Sequence, residues 1–288
     1  MKLTALITGA TNGIGKETAR ALLTQGYRVA IVGRNEGKLQ GVRSELLAQT
    51  PAGEVLCFQA DFASLDSIYA FTQAVRAKLS TLDVLVNNAG AIYDERQESA
   101  DGFEQTFAVN HLGYFATTLF LLKLLQAAPS ARIVNVASGA HFLGKWRPDD
   151  LQWHTRRYRN FGAYADSKLM NILFTYELAR QLAGTPVTAN CLHPGVVRTG
   201  FGQNNESWLS KWLFRAFGWM SISPQTGAKT SVYLASSAEV AGVSGKYFDK
   251  CKPVKSAPLS YDPNIQAELW QASLAILQEK FGDWGSKL

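Results

Sequence analysis

The feature that most constrains this chain is an alternation of two periodicities. Short apolar runs stand at 3–8 ("LTALIT"), 28–33 ("RVAIVG"), 54–60 ("EVLCFQA"), 82–90 ("LDVLVNNAG"), 131–138 ("ARIVNVAS") and 187–195 ("VTANCLHPG"). Between them lie longer stretches with apolar residues at helical spacing, over roughly 14–25, 36–49, 64–79, 103–126 and 161–183. Strands this apolar are covered on both faces, and a helix between each pair requires parallel crossovers. The pattern predicts an α/β fold with a doubly wound parallel sheet of about seven strands, the seventh near "GKYF" at 245–248. No repeat, low-complexity tract or linker interrupts residues 1–288, so a single domain is expected.

Bulk chemistry narrows the function classes. The net charge is +6, but the 29 Lys and Arg are scattered, and only "HTRRYR" at 154–159 forms a local cluster. That argues against nucleic acid and suits an enzyme that binds a polyanionic cofactor. Cys57, Cys191 and Cys251 show no metal-ligand spacing, and the four histidines show no HxxxH, so no metal site is expected. The thiols fit a reducing, cytoplasmic setting. The apolar start at "LTALITGA" is too short for a membrane span and has no basic leader or cleavage site, so neither anchor nor signal peptide is expected.

Three local patterns carry chemistry. "TGATNGIG" puts Gly9, Gly13 and Gly15 at a strand-to-helix turn, where backbone amides and a helix N-terminus can hold a pyrophosphate. Taken alone, a glycine triplet is also compatible with a plain tight turn. Tyr164 and Lys168 are four apart on a helical pattern and so share a face. A phenol with a pKa of about 10 is a poor acid/base near neutrality, and an adjacent cation lowers that value. Ser138 ends the fifth strand, at the sheet edge where ligands bind in open parallel sheets, and its hydroxyl can orient the phenol. A Ser–His–Asp hydrolase is disfavoured because "VASGA" lacks the first glycine of GxSxG.

"TGATNGIG", "NNAG" at 87–90 and "YADSK" at 164–168 together resemble the short-chain dehydrogenase/reductase family, over residues 3 to about 250. "VNVASGAHFLG", "AYADSKLMNILFTYELARQL" and "HPGVVRTG" are similar to its retinol dehydrogenase-like branch. The resemblance implies a Rossmann-type fold and hydride transfer between an alcohol and its aldehyde or ketone. It assigns Tyr164 as acid/base, Lys168 as its tuner and ribose ligand, Ser138 as orienter and Asn110 as a relay that opens the long helix. The family often has two serines where this chain has Ala137 and Ser138, and the second is the matching position. For the cofactor it implies the glycine turn with Thr11, Asn12 and Ile14, then Asp61 and Phe62 beside adenine, and Asn88, Ala89 and Gly90 at its ribose. Pro194, Gly195, Val197 and Thr199 would hold the carboxamide end. Asp61 is also readable as a helix cap.

An NAD-selective site needs a carboxylate at the end of the second strand. Here Gly33 stands in that place with Arg34 next, and Asn35 and Lys38 nearby, so NADP(H) is expected over NAD(H). Asn12 departs from the basic residue common there in NADP users.

The substrate side holds two irregular segments. Residues 142–160 form a polar and aromatic insertion. Residues 206–220 carry Trp208, Trp212 and Phe217 in the place of the family's substrate lid, near 200–223. So apolar a lid implies a small lipophilic substrate, retinal-like, steroid-like or another apolar carbonyl. A membrane-surface helix and a dimer contact are equally physical readings of 206–220. The resemblance also favours homo-oligomers through the helices at 103–126 and 161–183. Rival functions are a protochlorophyllide-reductase-like double-bond reductase and a non-catalytic NADP-sensing protein.

Overall fold

A computed structural model describes residues 2–195 and 222–282. The sheet comprises β1 (Thr4–Thr8), β2 (Arg28–Gly33), β3 (Glu54–Gln59), β4 (Val84–Asn87), β5 (Ala131–Val136), β6 (Val187–His193), β7 (Tyr247–Asp249) and β8 (Lys252–Val254). Its order is β3-β2-β1-β4-β5-β6-β7-β8, parallel except for the β7–β8 hairpin. The chain winds outward from β1 to β3, then returns to start the other half at β4 beside β1. That reversal opens a crevice above the carboxyl ends of β1 and β4, the usual ligand position in such sheets.

Helices α1 (Gly13–Thr24) and α2 (Glu36–Gln49) cover one face with α6 (Pro224–Ser236). Helices α3 (Leu65–Lys78), α4 (Gln105–Gln126), α5 (Asn160–Gln181) and α7 (Pro263–Phe281) cover the other. Side-chain alternation along the strands feeds both layers: Val84 and Val86 point to the α1 side, and Leu85 points to the α4 side. The helix starts are chemically specified. Asn35 accepts from the Lys38 amide at 2.9 Å and Ser64 from the Ser67 amide at 3.3 Å. Ser223 and Asp262 cap α6 and α7, each followed by proline at the first helical position, where no amide partner is lost.

Helix α4 is long and apolar enough to cross a membrane, with mean hydropathy 1.2, yet 89% of that stretch is buried inside the protein. Its apolarity belongs to the core. It is wound as a π-helix over Ala108–Leu112, which widens the helix at Asn110, as the resemblance implied.

The structure adds two features to the expected fold. The sheet has eight strands where about seven were expected, because β8 folds back on β7 through Lys250 and Cys251, both left-handed at φ 50° and 61°. The 142–160 insertion packs down. Trp153 is buried, the Arg156 guanidinium lies 3.5 Å over its ring, and Arg156 pairs with Asp150 at 3.3 Å and Asp166 at 2.9 Å. The basic cluster at 154–159 thus directs one arginine inward. The lid near 200–223, with Trp208, Trp212 and Phe217, and the cofactor positions Val197 and Thr199 lie outside the described residues, apart from 222 and 223.

Candidate active site

At the switch point lies a cleft of about 540 Å³ that runs from the α2 start to the α5 start. Its floor is the glycine turn. Gly9 has φ +64°, and a Cβ there would meet the Ala89 Cα at 2.8 Å. A Cβ on Gly15 would meet the Gly9 carbonyl oxygen at 2.5 Å, so this glycine lets α1 pack on the turn from behind and does not itself line the cleft. Asn88 ties the floor together. Its side-chain amide donates to the Thr8 carbonyl at 2.9 Å and the Gly9 carbonyl at 3.2 Å, and its backbone N–H donates to Thr8 Oγ1 at 2.9 Å. Thr11, Asn12, Gly13 and Ile14 line the same floor, followed by Asn88, Ala89 and Gly90.

At the α2 end stand Arg34, Asn35 and Lys38, all exposed. Asn35 is occupied as the α2 cap, while Arg34 and Lys38 have no ion pair among the described residues. A side chain at Gly33 would start 2.6 Å from Thr11 Cγ2. The carboxylate an NAD site would place there has no room unless Thr11 moves. Lys16 pairs with Glu45 at 3.1 Å. Asp61 lines the cleft and accepts from the Ala63 amide at 3.0 Å, while Ser64 caps α3, so Asp61 is not that helix's cap. Phe62 is buried against Phe71 at the same wall.

At the other end are Ser138, Tyr164 and Lys168, with Pro194 and Gly195 above. The Tyr164 phenol hydrogen-bonds the Ser138 side chain. Burial pushes the phenol up to about 12, against that hydrogen bond, which pulls it down. Burial also takes the Lys168 ammonium down to about 7. Its Nζ donates to the Val136 carbonyl at 3.0 Å and sits 5.6 Å from the centre of the Tyr164 ring. In the protein alone, burial outweighs the Ser138 hydrogen bond, so the phenol lies above the free value that a neighbouring cation is expected to lower.

Asn110 is fully buried and lies behind the cleft. Its Oδ1 accepts from the Ala91 amide at 2.8 Å, and its Nδ2 donates to the Ala91 carbonyl at 2.9 Å and to Ser167 Oγ at 3.0 Å. It ties the loop after β4 to α5 beside Lys168. Several cleft residues lie outside the sequence expectations, among them Tyr93, Phe161 and His193 beside the smaller apolar Ala60, Ala91, Ile92, Val109 and Val136. Tyr93 follows "NNAG" by three positions with no distinguishing pattern, and His193 has only its place before Pro194 as a signal.

A glycine-floored cleft at the switch point, closed by a hydrogen-bonded serine and tyrosine above a buried lysine, has the make-up of a nicotinamide-dependent oxidoreductase site. The short chain dehydrogenase family model matches residues 3–210, and the chain belongs to that family, oxidoreductases of CH–OH and C=O groups. It is 39% identical to human retinol dehydrogenase 13 over 278 residues, covering 95% of this chain and 84% of that protein. It is likewise 39% identical to human polyprenol dehydrogenase over 276 residues, covering 93% and 83%. Among solved structures, a protein from Mycobacterium paratuberculosis superposes with a TM-score of 0.78 at 32% identity, covering 96% and 93% of the two chains. An actinorhodin polyketide ketoreductase with NADPH superposes at 0.67 and 27% identity, covering 87% and 96%.

Proposed function

We propose that this chain is an NADP(H)-dependent oxidoreductase that interconverts a lipophilic alcohol and its aldehyde or ketone. The observation that carries the reading is the polarity of the cleft. Arg34 and Lys38 stand at one end with no ion pair among the described residues, beside a Gly33 where a carboxylate side chain would need Thr11 to move. Ser138, Tyr164 and Lys168 stand together at the other. A guanidinium and an ammonium there suit the extra phosphate of NADP by charge and by hydrogen-bond geometry. A neighbour solved with NADPH and relatives named for retinol and polyprenol support the cofactor and the apolar substrate.

The bound nicotinamide supplies or accepts the hydride. In the reductive direction Tyr164 gives its proton to the carbonyl oxygen, and a phenol pushed up to about 12 is fully protonated at neutral pH for that role. Ser138 holds the phenol and the carbonyl oxygen together. Lys168, poised near 7, replenishes the proton and bonds the ribose, and Asn110 holds the relay position at its side. Val197 and Thr199 would grip the carboxamide, and the 206–220 segment would close over the substrate and touch a membrane surface. We place the enzyme in the cytoplasm, where three free thiols are at home.

The test pairs binding with turnover. NADPH should bind more tightly than NADH by fluorescence titration, by about tenfold or more, as expected for charge-assisted bonds to one phosphate. With a panel of apolar aldehydes and alcohols, Tyr164→Phe should lose roughly 10²- to 10⁴-fold in kcat while NADPH affinity holds. Tighter binding of NADH, or full turnover by Tyr164→Phe, would overturn the assignment.

A further inference from the structure

Ser138 can orient Tyr164 only if its own backbone is held still, and it sits on a single 3-10 turn, Gly139–Leu143. Two histidines hold that turn, His141 from within it and His193 from the end of β6. His141 Nδ1 lies 2.6 Å from the Ser138 carbonyl oxygen, and the Ala257 backbone N–H donates to His141 Nε2 at 3.0 Å. A carbonyl only accepts and a backbone amide only donates, so Nδ1 carries the proton and Nε2 is bare. His193, the last residue of β6, accepts the Gly139 backbone N–H on Nδ1 at 3.0 Å, so its Nδ1 is bare. The His193 ring lies directly against this residue: a Cβ at Gly139 would be in van der Waals contact with it, 3.4 Å from Nε2.

We propose that His141 and His193, as neutral imidazoles of opposite tautomer, are positioning residues that clamp the Ser138 turn and so set the Ser138 hydroxyl against Tyr164. The proposal rests on the oxidoreductase reading above. Protonating either ring points a new N–H at a backbone N–H, Ala257 for one and Gly139 for the other. The clamp opens and the serine loses its place.

The surroundings keep both rings uncharged near neutrality. His141 has no exposed surface and packs against the Phe142 and Tyr247 rings at 4.1 and 4.8 Å, and burial depresses its pKa, with the His193 ring adding to the effect. Its bond to the Ser138 carbonyl works the other way and is outweighed. His193 is also depressed by burial and by Lys250, against Asp249, its register partner across β6 and β7. Each folded pKa lies below the free value of about 6.5, so the clamp is intact above that value and fails as pH falls through the lowered ones.

The deciding measurement needs no substrate. Long-range ¹⁵N–¹H correlation of the imidazoles, with single-histidine substitutions for assignment, should show the Nδ1–H tautomer for His141 and the Nε2–H tautomer for His193 at pH 7. A cationic ring, or the reverse tautomer at either site, overturns the proposal. Kinetics with NADPH and two probes, all-trans-retinal and nonanal, gives the second reading. His193→Leu, which keeps the bulk and removes the acceptor, should lower kcat about ten- to a hundredfold while changing the NADPH KM and thermal midpoint little. His193→Asn, whose Oδ1 replaces Nδ1 as acceptor, should recover kcat to within about fivefold at pH 8 and move the acid limb of the profile to lower pH. Full activity in His193→Leu with an unmoved acid limb would dismiss the clamp even if Tyr164→Phe is inactive. A wild type that reduces neither aldehyde counts against the parent reading alone, and the tautomers still decide the histidines.

Discussion

The two faces of the sheet are built from the same strands and do different work. Toward α1, α2 and α6 the strands present Ala5, Ile7, Val29, Ile31, Val84, Val86, Val134 and Val136, a largely apolar layer interrupted at its β5–β6 side by Arg132 and Asn190. Toward α4 and α5 the alternate positions start apolar with Leu6, Leu85 and Ile133 and end polar with Asn87 and Asn135, which are register partners. Asn87 donates to Asn135 at 2.8 Å and to Thr118 at 2.9 Å, and Asn135 donates to Thr175 at 2.9 Å. Lys168, Asn110 and His111 are buried on that same side. Burying so many polar groups is costly unless each is bonded, and a bonded network fixes a unique packing where a greasy layer would tolerate sliding. The apolar face supplies cohesion, and the mixed face adds the placement of α5, the helix that carries Tyr164 and Lys168.

The largest effect should come from the apolar content of the mixed face. Phe174 is 1% exposed and meets the Phe115 ring at 5.4 Å and stacks with Trp270 of α7 at 6.1 Å. Phe174→Ala should cost about 3–5 kcal/mol in urea unfolding, and Ile31→Ala on the opposite face about 2–5 kcal/mol. The comparison is sharpened by turnover per folded molecule. It should fall in Phe174→Ala, which loosens α5, and stay near wild type in Ile31→Ala. Equal loss of turnover in both would break the division of labour.

A pH series separates the faces next. His111 Nε2 donates to Ser273 Oγ at 2.7 Å, and the serine in turn donates to the Leu269 carbonyl at 2.8 Å, so α7 is fastened to α4 through a neutral ring. Burial lowers His111 to about 3. The unfolded chain then binds the proton that the folded one refuses, so stability is complete above about 6.5 and declines as pH falls toward 3. Its slope from this group is about 1.4 kcal/mol per pH unit. His111→Gln, which keeps a donor toward Ser273, should remove about one proton's worth of slope between pH 6 and 4 in urea midpoints. An unchanged slope would mean the ring is charged or the helix detached.

How legible all this was depends on whether the signal is local. Helix α2 is found where its periodicity predicts it, over 36–49, and the six apolar runs up to 195 all form parallel strands. Their spacing is set by burial, which the sequence repeats residue by residue. Ser138, Tyr164 and Lys168 are legible for the same reason, since strand ends and helical spacing put them at one edge, whereas Asn110 is implied only by the family resemblance. Helices α6 and α7 lie beyond the regular strand–helix alternation, and only Ser223–Pro224 and Asp262–Pro263 mark their starts. Strand β8 gave no signal, because Lys252–Val254 is exposed throughout and includes a proline. The histidine bonds were invisible for a different reason. His141 meets Ala257 across 116 positions, and no short window contains both. The lowered lysine and raised phenol also escape a helical-wheel argument, which counts charge neighbours and not lost water.

The smallest expected effect probes whether the mixed face is polar by need at every position. Asn171 lies on α5 between Lys168 and Thr175 and has no exposed surface. Neither its Nδ2 nor its Oδ1 finds a partner among the described residues, while its backbone carbonyl accepts from Thr175 Oγ1 at 2.6 Å. A buried amide left unbonded costs about 1–3 kcal/mol, and leucine, with the same count of side-chain heavy atoms though more bulk, is also the better helix former. If the amide is as idle as its bonding suggests, Asn171→Leu should be neutral or stabilise by up to about 1 kcal/mol, with kcat within about twofold of wild type. If it destabilises instead, or shifts the pH dependence of kcat, then the amide belongs to the network that seats α5, and the polar character of this face extends one helical turn deeper than its direct hydrogen bonds indicate.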